Sequence, residues 1–221
     1  MIVIWGTRRV GTIDKREGQY ALTRFAHVYW LPLFPVGAVW ITRDGYGHAM
    51  KMSGRGVAAG YARTWGPLLG VAGVAGAGGM AGFVVALAAV STVALSWSWR
   101  KPATKAAERR SDMNHLAFGT RCEPSLMPDD LLVVLRPELE SRWHKLSNGD
   151  TPSDVARFGT EDPARAAAAY GVLRLTALSL PAKQRHEAET EATRIAEKLH
   201  DMPLLTEGGP YRNVELPPER R

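Results

Sequence analysis

Short apolar runs alternate with turn residues over the first fifty positions. Ile2-Val-Ile-Trp5 stops at Gly6, and Val10-Gly-Thr-Ile13 leads into the polar stretch Asp14-Lys-Arg-Glu-Gly18. Tyr20 to Trp30 alternates, with Tyr20, Leu22, Ala26, Val28 and Trp30 on one face. Ala38 to Thr42 is a further run, and Asp44-Gly45 is a tight-turn pair before Tyr46. The pattern predicts a small antiparallel β domain over 1–50, a sheet or barrel-like meander of about four or five strands. Leu31-Pro-Leu-Phe-Pro35 breaks the alternation. Its two prolines remove two backbone donors, which excludes an ordinary central strand. The segment is expected to form a buried, rigid corner; its functional alternative is an apolar lip resting on a membrane or a partner.

The period changes after Met50. From Thr64 to Trp99 no residue is charged. That run of roughly 36 residues would make a helix of about 54 Å, while a hydrocarbon core of about 30 Å needs only about 20 residues. Two spans joined at Gly76-Ala77-Gly78-Gly79 fit better, because glycine is a poor helix former and reverses the chain easily. A two-helix transmembrane hairpin is therefore expected over 56–99, with spans of about Val57 to Gly76 and Met80 to Trp99. The second reads as Phe83-Val-Val-Ala-Leu-Ala-Ala-Val90 and ends at Trp97 and Trp99. Arg100 and Lys101 follow, so these four residues are the expected interfacial anchors. The first span carries Tyr61, Arg63, Gly66 and Pro67, which leaves a short re-entrant segment as its alternative. Glycines recur four apart at Gly56 and Gly60, Gly66 and Gly70, and Gly78 and Gly82. Gly66, Gly70, Gly78 and Gly82 are the candidate helix-packing residues, since such spacing allows close approach of two helices. Packing of the two spans on each other is favoured over self-association into a homo-oligomer.

Beyond Trp99, residues 100–126 show little periodicity and read as a basic linker. Pro128-Asp-Asp130 starts a helix carrying Leu131, Leu135, Leu139, Trp143 and Leu146, with a break or kink expected at Pro137. Ser147 to Pro152 reads as a loop. Glu161-Asp-Pro163 starts a second helix with Ala166, Tyr170, Leu173 and Ala177 on one face. A third, from about Ala182 to His200, aligns Ala188, Ala192, Ile195 and Leu199. Residues 127–201 are thus expected to form a helical bundle, and 202–221 an irregular tail. The fold class is α+β: a small β domain, a membrane hairpin and a C-terminal helical bundle.

Composition refines this picture at two points. The net charge is +6, and the bases cluster beside the apolar block: Lys51 and Arg55 before it, and Arg100, Lys101, Lys105, Arg109 and Arg110 after it. That placement favours an anionic lipid surface over nucleic acid. Basic flanks at both ends put both termini on the cytoplasmic side. The single cysteine, Cys122, excludes an intrachain disulfide and a thiolate-rich zinc site, and reads as an inert linker residue. The apolar start is too short for a cleavable signal and is interrupted by Arg8 and Arg9.

Trp5-Gly6, the polar turn, His27-Val-Tyr-Trp-Leu-Pro-Leu-Phe-Pro35 and Gly37 together resemble a group of small bacterial membrane-associated proteins with a zinc-ribbon-like N-terminal module. In that group a similar aromatic–aliphatic segment lies between two Cys-x-x-Cys knuckles. This chain has none of those cysteines, so the resemblance implies a metal-free version of the module. It covers about the first 50 residues, implies a bacterial inner-membrane setting and carries no activity with it.

His27 and His48 lack a ligand spacing with Asp14 or Glu17. No serine–histidine set, paired carboxylates or nucleotide-binding glycine loop is present. No catalytic residue, cofactor or metal is assigned, and an enzyme is not expected. The expected function is a membrane-anchored adaptor or scaffold that presents cytoplasmic β and helical interaction modules to a protein partner through the bundle. The alternative is an oligomeric channel or membrane-remodelling element built on the glycine-rich hairpin.

Overall fold

The computed structural model describes residues 5–29, 31–77, 79–100 and 104–199. They fall into two compact units, one within Met1–Ala103 and one within Thr104–Pro218. The fold is α+β, with a four-stranded antiparallel sheet and, among the described residues, seven α-helices.

In the first unit β1 (Trp5–Arg16), β2 (Gln19–Val28), β3 (Leu31–Ile41) and β4 (Gly47–Met50) pair in sequence order. Trp5, which ends the first apolar run, and the run Val10 to Ile13 belong to one long β1. It bends at Gly11 and Asp14, both at positive φ, where its register with β2 slips. Ile2 to Ile4 lie outside the described residues, as does Trp30.

The proline segment overturns the expectation of a buried corner. Leu31 to Pro35 is part of β3 and pairs with β2, while β4 reaches only Ala38 to Ile41. Over the proline half β3 is thus an edge strand, where a missing donor costs no ladder bond. The register slips twice, leaving Val36 and Leu33 as extra residues. Leu33, Phe34 and Val36 are exposed, and only Pro32 is buried.

Helix α1 (Gly54–Ala77) lays its first turns on the sheet face formed by Ile13, Thr23 and Phe25. Helix α2 (Gly79–Ser98) returns antiparallel along its second half. Two spans were expected, but among the described residues only α2 is long and apolar enough to cross a membrane. Helix α1 carries Arg55, Arg63, Pro67 and many small residues, which dilute its apolar character.

The second unit begins earlier than 127. Residues 105–118, expected within a linker, form α3 (Lys105–Phe118). Thr104 caps its first turn, accepting from the Ala107 N–H at 3.2 Å, and Gly119 ends it at φ 71°. A 3-10 turn (Pro124–Leu126) leads to α4 (Asp129–Leu146). Pro137 does not break α4. The carbonyl it leaves without a partner belongs to Val133, which is 73% exposed, so water can satisfy it. Thr151 and Asp154 form a capping box at the start of α5 (Pro152–Phe158), a helix not expected from the sequence. Helices α6 (Pro163–Ser179) and α7 (Ala182–Lys198) follow close to their expected bounds. The centre of this unit is α6, whose residues Ala166 to Gly171 are all buried. Residues 202–221 lie outside the described chain.

Candidate membrane interface

Helices α1 and α2 meet along a seam of glycines. A Cβ on Gly66 would stand 2.5 Å from Val93 Cγ2, and one on Gly82 would stand 2.9 Å from the Gly73 carbonyl oxygen. Gly73 faces Val85 with no room for a side chain, while Gly70 has ordinary contact, 3.4 Å from Ala89 Cβ. Gly66, Gly70 and Gly73 recur at helical spacing, so one face of α1 is flattened for α2. Of the four expected packing residues, Gly66, Gly70 and Gly82 lie in this contact and Gly78 is outside the described residues. Gly73 was missed because it falls outside the four-residue spacing. The Gly56 and Gly60 pair does a different job: Gly56 meets Thr23 and Ile13, and Gly60 meets Phe25 and Val10, so both bring α1 onto the sheet.

The glycine seam turns the larger side chains outward. On α2 only Gly82 and Ser96 are buried. Met80, Phe83, Val84, Leu87, Val90 and Leu95 are all exposed, Phe83 to 62%. Leu69, Val71 and Val74 continue this surface on α1. On α2, Thr92 donates to Ala88 O at 2.8 Å and Ser98 to Leu95 O at 2.6 Å. The surface is therefore largely apolar, with Ser91, Thr92 and Ser98 as its exposed hydroxyl residues.

A belt of aromatic and basic groups closes the hairpin where it meets the sheet. Arg63 donates to Thr12 O at 2.7 Å, to Ser96 Oγ at 3.3 Å and to Ser96 O. Ser96 thus spends its hydroxyl and carbonyl on holding one guanidinium between α1, α2 and β1. Arg63, expected within the first span, is held by these three acceptors. Arg100 stacks over the Trp97 ring at 4.0 Å and Arg63 approaches the same ring at 5.7 Å. Trp99 is half-buried, and its carbonyl accepts from the Asp14 N–H at 3.2 Å. Of the expected anchors, Trp97 and Arg100 thus join one cluster, Trp99 backs onto β1, and Lys101 lies outside the described residues.

The belt extends to the proline segment. Trp65 Nε1 donates to Pro32 O at 2.9 Å, and the Tyr61 hydroxyl donates to Leu33 O at 2.7 Å. Tyr61 also meets Phe25 edge-on, with ring centroids 5.0 Å apart. At the far end of the sheet Lys15, Glu17, Arg43 and Asp44 surround the β1–β2 and β3–β4 turns, together with the exposed Tyr46. Asp14 lies 3.6 Å from Arg55. Burial pushes its carboxyl above the usual range, and the Arg55 charge only partly opposes this.

The second unit holds a buried polar network rather than a cleft. Tyr170, fully buried, donates to Asn114 Oδ1 at 2.9 Å; Asn114 Nδ2 donates to Glu123 Oε2 at 3.4 Å; Glu123 also pairs with Arg174. Burial raises the Tyr170 phenol and lowers the Arg174 guanidinium from their usual values. These contacts tie α3 and the turn at Glu123 to α6. Cys122, expected in an open linker, is buried beside them. Among the described residues no group of three or more His, Cys, Asp or Glu side chains converges to hold a metal ion.

No family model, curated protein or solved structure matches the chain.

Proposed function

We propose that the protein is a membrane-anchored adaptor. The α1–α2 pair sits in the bilayer, the β sheet lies against the headgroups on the cytoplasmic side, and the C-terminal helical unit is held on that same side for a protein partner. The observation that carries this reading is the outward-facing surface of α2. A helix of 20 residues this apolar would be mostly buried if it formed a soluble core, but here only Gly82 and Ser96 are. At about 1.5 Å per residue it is about 30 Å long, the thickness of a hydrocarbon core.

The arrangement of α1 supports a hairpin with its ends on one side. The start of α1 and the end of α2 both lie at the sheet, bound through Gly56, Gly60, Arg63 and Trp99. The charged residues lie at that end, and the turn near Gly79 carries none. The glycines that could have drawn copies together are occupied within the chain, which favours an anchor over an oligomeric channel. The absent cysteines fit a metal-free β module. In the helical unit Val133 and Val134 are exposed on the side of α4 opposite Leu135 and Leu139, an apolar surface suited to a partner.

Alkaline carbonate extraction of membranes tests the reading. The wild-type chain is expected to stay in the pellet. Paired substitutions Val84→Arg and Leu87→Arg, both at exposed positions, are expected to move it to the supernatant, since each arginine at a span centre costs about 2.5–3.5 kcal/mol of insertion. Release of the wild-type chain by carbonate would overturn the membrane reading.

A further inference from the structure

We propose that the β2–β3 end of the sheet is a second lipid contact, a lip that seats on anionic headgroups beside the hairpin. The proposal rests on the membrane reading of α1 and α2 and adds a surface that a bare helical anchor would not need.

Four observations converge on this end. The two extra residues of β3, Leu33 and Val36, sit at register slips, where a bulge re-aims a side chain, and both are exposed with Phe34 between them. Trp5, the most exposed large apolar residue described, is registered opposite Val28, and Val28 opposite Leu31; the next row on the same face is Thr7, Ala26 and Phe34. Trp5 and Phe34 therefore share one face at one end. Exposed Trp, Leu, Phe and Val side chains gathered at one end of the sheet mark a contact surface.

Position points to lipid as the occupant. The backbone of this lip is tied to α1 at Tyr61 and Trp65, just ahead of Gly66 in the seam with α2. The lip is therefore continuous with the surface assigned to the bilayer, at the level of the aromatic and basic belt. The opposite end of the sheet carries the charged residues Glu17 and Asp44, with Tyr46 as its exposed aromatic.

Charge points to anionic headgroups. Arg8 and Arg9 are exposed on β1 three and four residues from Trp5, and Arg9 is registered directly opposite Arg24. The exposed Arg8 and Arg9 give this end a positive charge that an anionic bilayer attracts.

The test uses the full chain with Cys122→Ser and one new cysteine at a time: Phe34→Cys, Asp44→Cys or Val84→Cys. Each is labelled with an environment-sensitive fluorophore and reconstituted into phosphatidylcholine vesicles with and without phosphatidylglycerol. The label at 84 reports whether the hairpin is embedded. The proposal expects the label at 34 to shift to the blue and to be quenched by spin-labelled headgroups, more so with phosphatidylglycerol, while that at 44 stays water-like. Arg8→Glu with Arg9→Glu is expected to abolish the dependence on phosphatidylglycerol. If 84 is embedded and 34 is as water-like as 44, the lip is wrong and the anchor stands. If 34 is embedded but its response to phosphatidylglycerol survives the double glutamate variant, the assignment of these arginines is overturned. If 84 is water-like, the membrane reading fails and the lip fails with it.

Discussion

Gly82 and Gly70 look alike in the sequence but differ in what a side chain would meet. At Gly82 the nearest atom is the Gly73 carbonyl oxygen at 2.9 Å, part of a backbone that cannot swing away. Gly82→Leu is therefore expected to separate α1 from α2 and to cost about 1–3 kcal/mol or more. Gly70→Ala meets only Ala89 at 3.4 Å and gains up to about 1 kcal/mol of helix propensity, so it is expected to be neutral or stabilising. Thermal unfolding in detergent separates the two. In the helical unit, Tyr170→Phe leaves Asn114 Oδ1 buried without its donor and is expected to cost about 1–3 kcal/mol by urea denaturation. Asp14 gives a pH signature. Its folded-state pKa lies above the unfolded value of 3.8, so its contribution is most favourable below that value and is lost as pH rises through the folded pKa. Asp14→Asn removes the titration and keeps a residue tolerant of positive φ. Its melting temperature is expected to gain on the wild type between about pH 3 and about pH 7; a constant difference would show that Asp14 does not titrate with folding.

Elements with a strong period were legible, and those formed by local exceptions were not. Helices α6 and α7 follow from Ala166, Tyr170, Leu173 and Ala177 and from Ala188, Ala192, Ile195 and Leu199, all of which are buried. The break between α1 and α2 follows from glycine chemistry at 76–79. Helix α3 was hidden because its buried stripe is Met113, Asn114, Ala117 and Phe118, with a polar member in the middle and bases around it. Asn114 is recognisable as a core residue only once Tyr170 is placed against it. Helix α5 is announced by the capping signal Thr151-Pro152-Ser153-Asp154, which straddles the end of the stretch read as loop, Ser147 to Pro152, and is followed by little apolar sequence. The prolines of β3 pointed to a corner because edge status depends on where β4 stops, which is a tertiary fact. The glycine pairs were visible, yet sequence could not assign Gly56 and Gly60 to the sheet and Gly66 and Gly70 to α2. One consequence is testable. Because α3 packs Ala117 against Gly171 and joins the Tyr170 network, a fragment of residues 104–200 is expected to fold, whereas one of 127–200 is expected to lose most of its helical circular dichroism. Equal folding of both would make α3 dispensable.

At the scale of the whole molecule, the chain joins a sheet, a glycine-seamed helical pair and a separate helical unit, and the account turns on the middle part being embedded with both ends on one side. The apolar exposed surface of α2, the belt of Arg63, Trp65, Trp97 and Arg100, and the return of α2 to β1 through Trp99 all belong to that single reading. Bases clustered after α2 resist export, since moving one charge across the membrane costs about 2.3 kcal/mol per 100 mV. The most direct test is labelling of single cysteines at Lys15, Gly79 and Ser153, in a Cys122→Ser background, with a membrane-impermeant maleimide on intact cells and again after permeabilisation. The account predicts that the cysteines at 15 and 153 are protected together in intact cells and become reactive together on permeabilisation. Labelling of 15 or 153 alone from outside would place the sheet and the helical unit on opposite sides and contradict it.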